Sequence, residues 1–351
     1  MIIEIIIFLI LIFIVFLWVT KKTSTKPFVD SKGEKVKDSV ADEVYLKLGG
    51  VKQWVLLRGR NINNPILIFL HGGPGISEHG LFRYYNKELE NDFIVVGWDQ
   101  RGCGKSYSKS ISPQSMKIDT FVSDLHELVQ YLKKRFGKDK VYLLGKSWGS
   151  MLGTIYASRY PDDVAAYIGT GQVADPRESE RLGYEFTLEE AESRNNKKAL
   201  AELENIKFPP GSNIKDVGVE RKWLTKFGGS VYGKTGYLMS WVPKTLSVDE
   251  YAWPDLMKFL LVENMASKMM WPEIFNTNLF KQVSKLEVPV YFLLGRHDHQ
   301  VSSKLAAEYF EVLDAPKKEL IWFEYSAHNP PFEEAEKFND VVKNIVKNRG
   351  Q

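Results

Sequence analysis

The sequence predicts an α/β fold: a mostly parallel, doubly wound sheet with helices on both faces and a helical cap inserted late in the chain. Three observations predict it. Short apolar runs of the kind buried on both faces alternate with helical stretches along residues 65–170 and again from 288 onward. Between them, residues 175–283 change texture, with charged helical stretches, a Pro209-Pro210-Gly211-Ser212 break and Trp223, Trp241, Trp253 and Trp271, and hold no buried-strand run. Finally, Val141-Tyr142-Leu143-Leu144 breaks into Gly145-Lys146-Ser147-Trp148-Gly149, a spacing suited to a sharp strand-to-helix turn.

Each element follows from its residues. Val44–Leu48 and Val51–Leu57 flank Gly49-Gly50, a hairpin signal that starts the sheet. The run 65–70 is a buried strand that ends in His71-Gly72-Gly73-Pro74-Gly75, a loop with little side-chain bulk whose backbone can approach a ligand and offer N–H donors. The run 92–98 is the next strand, ending in Asp99-Gln100-Arg101-Gly102-Cys103-Gly104-Lys105-Ser106. Asp119 is the expected cap of a helix in which Phe121, Val122, Leu125, Leu128, Val129, Leu132 and Phe136 recur at helical spacing up to Gly137. A helix to Tyr160 and a strand over 164–170 follow, and 187–206 reads as a charged helix of the cap. The strand rhythm resumes at 288–295, then come a helix over 302–313, a last strand over 319–324 and a final amphipathic helix from Glu333 towards Lys347.

The amino terminus differs from the rest. Residues 1–20, MIIEIIIFLILIFIVFLWVT, are apolar apart from Glu4 and the closing Thr20, and a helix of that length spans about 30 Å, the thickness of a bilayer core. With Glu4 at the start and no small-residue cleavage site, the run reads as an uncleaved single-pass anchor; Lys21, Lys22 and Lys26 on its carboxyl side place the body in the cytoplasm. The organisation expected is therefore an anchor at 1–20, a Lys-rich tether at 21–40, a catalytic core at 41–174 and 284–351, and the cap at 175–283. A net charge of +3 over 351 residues, with no basic block interleaved with aromatics, argues against a nucleic-acid partner. The single Cys103 excludes an intramolecular disulfide and a cysteine-based zinc site.

In the Gly145–Gly149 pentapeptide the two glycines remove collisions at the turn and the serine is left at its tip, where the N–H groups opening the next helix favour developing negative charge. Ser147 is thus the candidate nucleophile, and it requires a base and a group to orient that base. Of six histidines, only His328 follows the last strand and completes the chain order Ser, Asp, His. Asp298, in the loop after the penultimate strand, is the candidate acid; Asp175, at the end of the strand before the cap, is the alternative. His297 and His299 could pair as a metal site, but no third ligand is evident, so neither metal nor cofactor is expected.

The three segments His71–Gly75, Asp99–Ser106 and Gly145–Ser150, at these separations, resemble the prolyl aminopeptidase (proline iminopeptidase) group of α/β-hydrolases. The likeness covers roughly 44–347, strongest in the core and weak in the cap. It implies an α/β-hydrolase fold and a serine peptidase that removes an amino-terminal residue, often proline, from short peptides. It also implies Ser147 as nucleophile, Asp298 and His328 as its partners, and the N–H groups of Gly73 and Trp148 as the oxyanion hole. A cap carboxylate would hold the substrate ammonium, with Glu185, Glu189, Glu190, Glu202, Glu204, Glu220 and Glu263 all candidates. The chain departs from the pattern at Lys146, where many members carry glycine, and at Lys105, which replaces a common arginine. The same triad serves a membrane-tethered carboxylesterase or lipase, and a non-catalytic binding protein on this fold is a third reading.

Overall fold

The computed structural model describes residues 10, 13, 15, 16, 23–207, 209–233 and 240–347, with the backbone alone for 256–265. The sheet begins as an antiparallel hairpin of β1 (Val40–Leu48) and β2 (Val51–Gly59), closed by Gly49 and Gly50 at φ 51° and 78°. Two successive positive φ values match the turn to the twist of the strands it joins. β2 pairs antiparallel with β4 (Ile94–Trp98), and every remaining pairing is parallel. With β3 (Ile66–Leu70), β5 (Val141–Lys146), β6 (Val164–Thr170), β7 (Val290–Gly295) and β8 (Lys318–Phe323), the order across the eight-stranded sheet is β1-β2-β4-β3-β5-β6-β7-β8.

β3 to β7 are buried along their whole length, as unbroken apolar runs require, because helices cover both faces. On one face Ile68, Leu70 and Leu143 pack with Leu125 and Leu128 of α2 (Ile118–Phe136), Leu152 of α3 (Trp148–Arg159) and Leu305 of the helix Ser303–Val312. On the other, Leu67, Phe69 and Leu144 pack with Phe82 of α1 (His79–Tyr85) and Phe338 and Val342 of the last helix, Ala335–Lys347. β3 has β4 on one side and β5 on the other, so the loops leaving the carboxyl ends of β3 and β5 part around a crevice.

Between β6 and β7 the chain forms α4 (Pro176–Ser193), α5 (Lys197–Leu203), α6 (Ile214–Lys226), α7 (Trp241–Ser247), α8 (Trp253–Phe275) and α9 (Leu279–Gln282). α4, α5 and α6 share a small core of their own around Tyr184, Leu203 and Trp223. The charged stretch 187–206, expected as one helix, is two: Asn195 sits at φ 48° and turns the chain between α4 and α5. Asp119 lies in the first turn of α2 rather than capping it, the cap position being Lys117.

The expected anchor at 1–20 lies outside the described residues apart from four positions, and among the described residues no helix is long and apolar enough to cross a membrane. The expected tether does not stand clear of the body. Phe28 is buried beneath the guanidinium groups of Arg58 and Arg60, 4.5 and 5.3 Å from its ring centroid, and Thr25 donates to Glu250 at 2.7 Å. An aromatic among lysines gains more from covering the core than from solvent, and it draws the backbone with it.

Candidate active site

The site is assembled at the β3/β5 crevice. β5 runs into Ser147, whose backbone is held at φ 55°, ψ −124°, and α3 begins at the next residue. A Cβ on Gly145 would lie 2.4 Å from the Gly149 carbonyl oxygen, and one on Gly149 only 2.0 Å from that of Leu70, so both positions exclude any side chain. Ser147 donates its N–H to Thr170 O at 3.0 Å; Ser150 Oγ donates to Ser147 O at 2.6 Å and accepts from Val173 N at 2.9 Å. These bonds tie the strained turn to the end of β6 and to the segment that follows it.

Asp298 and His328 arrive from the ends of β7 and β8. His328 Nδ1 is 2.8 Å from Asp298 Oδ2, and both residues are buried. The other carboxylate oxygen, Oδ1, accepts the N–H groups of Gln300 and Val301 at 3.0 and 2.9 Å. His328 donates its own N–H to Ser230 O at 3.1 Å, and its Nε2 is buried with no hydrogen-bond partner among the described residues. Glu333 clamps the loop from below, its Oε2 accepting the N–H groups of Ala327 and Asn329 at 3.1 and 3.0 Å. The alternative acid, Asp175, is engaged elsewhere: it caps α4 by accepting Glu178 N–H at 3.3 Å and also accepts from the Asn278 side chain. His297 and His299 do not join the site; they stack on Tyr232 and Phe186, with centroids 4.1 and 3.7 Å apart.

The second sequence segment, Asp99–Ser106, is a brace. Gln100 accepts from Trp148 Nε1 at 2.9 Å and donates to His71 O at 3.3 Å, joining the start of α3 to the glycine loop. Arg101 makes a bidentate pair with buried Asp124 of α2 at 2.6 and 2.7 Å. Asp99 accepts from Ser77 Oγ at 2.5 Å and Lys105 N at 2.7 Å. His71 Nε2 accepts the Gln100 N–H at 3.3 Å; burial, and then the neighbouring His79, hold its pKa down to about 3, so the ring stays a neutral acceptor.

Ser147, His328, Gly73 and Trp148 all line one cavity of about 580 Å³, roofed by the helices between β6 and β7, with Trp241 and Trp271 in its wall. Neither Gly73 N–H nor Trp148 N–H has a hydrogen-bond partner among the described residues. A carbonyl at Ser147 would meet a hydroxyl, a ring nitrogen already oriented by a carboxylate, and spare N–H donors at a helix start.

Comparison with known proteins agrees with this architecture. Residues 65–207 match the family model described as alpha/beta hydrolase fold. The chain is 35% identical over 306 residues to the probable aminopeptidase YbaC of Bacillus subtilis (strain 168), covering 87% of this chain and 96% of that protein. The chain belongs to the proline iminopeptidase-like group of the α/β-hydrolase family. Proline iminopeptidase of Clostridium botulinum is 29% identical over 286 residues, covering 80% of this chain and 89% of that protein. The crystal structure of proline iminopeptidase from Mycobacterium smegmatis superposes with a TM-score of 0.62 at 17% identity, over 88% of this chain and 98% of that chain.

This α/β-hydrolase also carries two charged groups in its cavity that the sequence reading did not assign. Glu180 of α4 and Arg221 of α6 both line the cavity, and Arg221 bridges Glu180 to Glu220, all three largely buried. Glu180 was not among the candidate carboxylates, since on α4 it looks like one more surface charge; Glu220 was. Lys146 and Glu78 also line the cavity, with Lys146 Nζ 2.8 Å from Glu78 Oε1, and both are buried.

Proposed function

We propose that this α/β-hydrolase is a serine hydrolase working by acyl transfer, and that it is an aminopeptidase releasing amino-terminal proline or another small residue from short peptides. The observation that carries the reading is the His328 ring: Asp298 holds Nδ1, so the proton sits there and Nε2 is left as the base, in the cavity wall that Ser147 also lines. Ser147 Oγ attacks the substrate carbonyl and passes its proton to Nε2. The tetrahedral oxyanion takes the N–H groups of Gly73 and Trp148, each such donor worth about 3–4 kcal/mol. Collapse of the intermediate transfers the proton from His328 to the leaving amine, and water repeats the sequence on the acyl-enzyme.

The choice of a free amine rests on the cap. Two carboxyls, Glu180 in the cavity wall and Glu220 behind it, share one guanidinium, Arg221, so once both are ionised the cluster keeps one negative charge for a substrate ammonium. A cavity of this size beneath a helical roof suits a short peptide end better than a protein loop. The apolar run at 1–20 is proposed as a membrane anchor with the body on the cytoplasmic side.

The test is a substrate panel run on the full chain: proline and alanine β-naphthylamides, their N-acetyl derivatives and p-nitrophenyl butyrate, with Ser147→Ala as control. Free-amine amides are expected to turn over, N-acetyl amides to be poor, and Ser147→Ala to be silent. Ester turnover without any amide turnover would replace the peptidase reading with that of an esterase.

A further inference from the structure

The residue preceding the nucleophile is a lysine buried to 2% exposure, which the acyl-transfer steps do not use. Its ammonium meets Glu78 Oε1 at 2.8 Å and lies 5.6 Å from the Phe332 ring centroid. Glu78 stands just before α1, and its second oxygen, Oε2, accepts the N–H of Gly72 at 2.9 Å. Gly72 is pressed into this corner: a Cβ there would fall 3.1 Å from Glu78 Oε2 and 3.3 Å from Ser147 Cβ. The next amide in the chain is Gly73, whose N–H has no partner among the described residues and which lines the cavity. Burying a lysine and a glutamate costs more than an apolar pair of the same volume in many proteins, so the pair calls for a reason other than stability.

We infer that Lys146 and Glu78 are positioning residues for the oxyanion loop: Lys146 fixes Glu78, Glu78 fixes the Gly72 amide, and the Gly73 N–H is thereby aimed at the cavity beside Ser147. This inference rests on the serine-hydrolase reading above and deepens it. Because Lys146 is bonded in sequence to Ser147, the pair sets the nucleophile and one oxyanion donor in a single frame; Gln100, bonded to His71 O and to Trp148, braces the first residue of the same loop. The other titratable groups facing Glu78 are His71, His79 and Cys103. Burial keeps the two rings low and the thiol well above its usual pKa, so all three are neutral and Lys146 is the charge that matches Glu78. Burial alone would raise the Glu78 carboxyl, but Lys146 and the Gly72 amide outweigh it and hold it below the usual range.

The experiment compares kcat, KM and the pH profile of the full chain carrying Lys146→Met, Glu78→Gln with Lys146→Met, and Glu78→Leu with Lys146→Met, on whichever substrate the wild type turns over. Lys146→Met leaves Glu78 without its counter-charge. It is expected to lose about 10²-fold in kcat, the scale of one oxyanion donor, with KM little changed and a new ionisation, that of Glu78 raised by burial once Lys146 is gone, above which kcat falls. Glu78→Gln with Lys146→Met keeps an acceptor for Gly72 without charge and should recover kcat to within about fivefold, with the wild-type pH profile. Glu78→Leu with Lys146→Met removes the acceptor and should lose about 10²-fold again. The two double variants carry no buried charge, so their contrast decides the matter even if Lys146→Met fails to fold. Equal kcat in the two double variants, or a wild-type kcat and pH profile in Lys146→Met, overturns the positioning role. A wild type that neither turns over the panel nor labels with a fluorophosphonate at Ser147 overturns the hydrolase reading instead.

Discussion

Asp298 Oδ2 and His328 Nδ1 are 2.8 Å apart, while the remaining oxygen of Asp298 is occupied by two backbone N–H groups. The carboxylate can neither rotate away nor be replaced by Asp175, which is spent on the start of α4. Asp298→Asn keeps the shape but offers an N–H to a ring nitrogen that itself carries the proton. The ring then flips its tautomer and presents Nε2–H to Ser147. A loss of roughly 10³–10⁴ in kcat with little change in KM is expected, measured by steady-state turnover beside Ser147→Ala and His328→Ala.

Gly149 is the elbow position with least room. The Leu70 carbonyl it faces belongs to β3 at the centre of the sheet, so the backbone cannot yield to a Cβ placed 2.0 Å away. Gly149→Ala should destabilise the fold by about 3 kcal/mol or more, read as a lower urea midpoint. Gly218, within α6, has nothing inside 4 Å of its Cβ direction, so Gly218→Ala should raise stability by about 0.5–1 kcal/mol.

His71 gives a pH signature. Its pKa is about 3 in the fold, held there by burial, against about 6.5 in the unfolded chain. The unfolded state therefore binds the extra proton first, and the contribution of a neutral His71 is whole above pH 6.5 and lost as pH falls towards 3, by about 1.4 kcal/mol per unit. Glu220 and Glu333, raised by burial to about 7, slope the opposite way, so total stability hides the term. The difference in unfolding free energy between the wild type and His71→Gln isolates it. That difference should shrink between pH 6.5 and 5; a constant difference would mean the ring is protonated in the fold.

Much of this site can be read before folding because its parts are local. The elbow needs two glycines and a serine within five residues, the hairpin needs Gly49-Gly50, and strands buried on both faces need unbroken apolar runs. What could not be read is pairing across elements. Glu180, Glu220 and Arg221 come from two helices and form a cluster only once α4 packs on α6. Lys146 and Glu78 are separated by 68 residues and meet through the β3/β5 adjacency. The break at Asn195 was hidden for a different reason: charged helix formers continue through it, and a left-handed residue is marked only by asparagine's tolerance for that conformation.

The cap cluster leads to the prediction that most directly separates an aminopeptidase from an esterase. Burial pushes the Glu220 carboxyl up to about 7, opposed by Arg221 and reinforced by Glu180. Burial raises the Glu180 carboxyl too, so below that pH the two carboxyls share one proton, the remaining negative charge cancels Arg221, and the wall presents no net charge to an ammonium. Above it the cluster gains one negative charge. A substrate α-amino group stays protonated until about pH 8. KM for a free-amine amide should therefore fall as pH rises through about 7 and rise again above about 8, whereas KM for p-nitrophenyl butyrate should stay flat. Glu220→Gln should erase the lower limb and raise KM for the amine substrate about tenfold or more at pH 7.5, the scale of one hydrogen bond to a charged group, with kcat for the ester unchanged. Glu180→Gln should also weaken amine binding, but without a pH limb of its own, since Glu220 then inherits the guanidinium. Parallel KM changes for ester and amide in these variants would assign the cluster to holding the cap together rather than to reading the substrate amine.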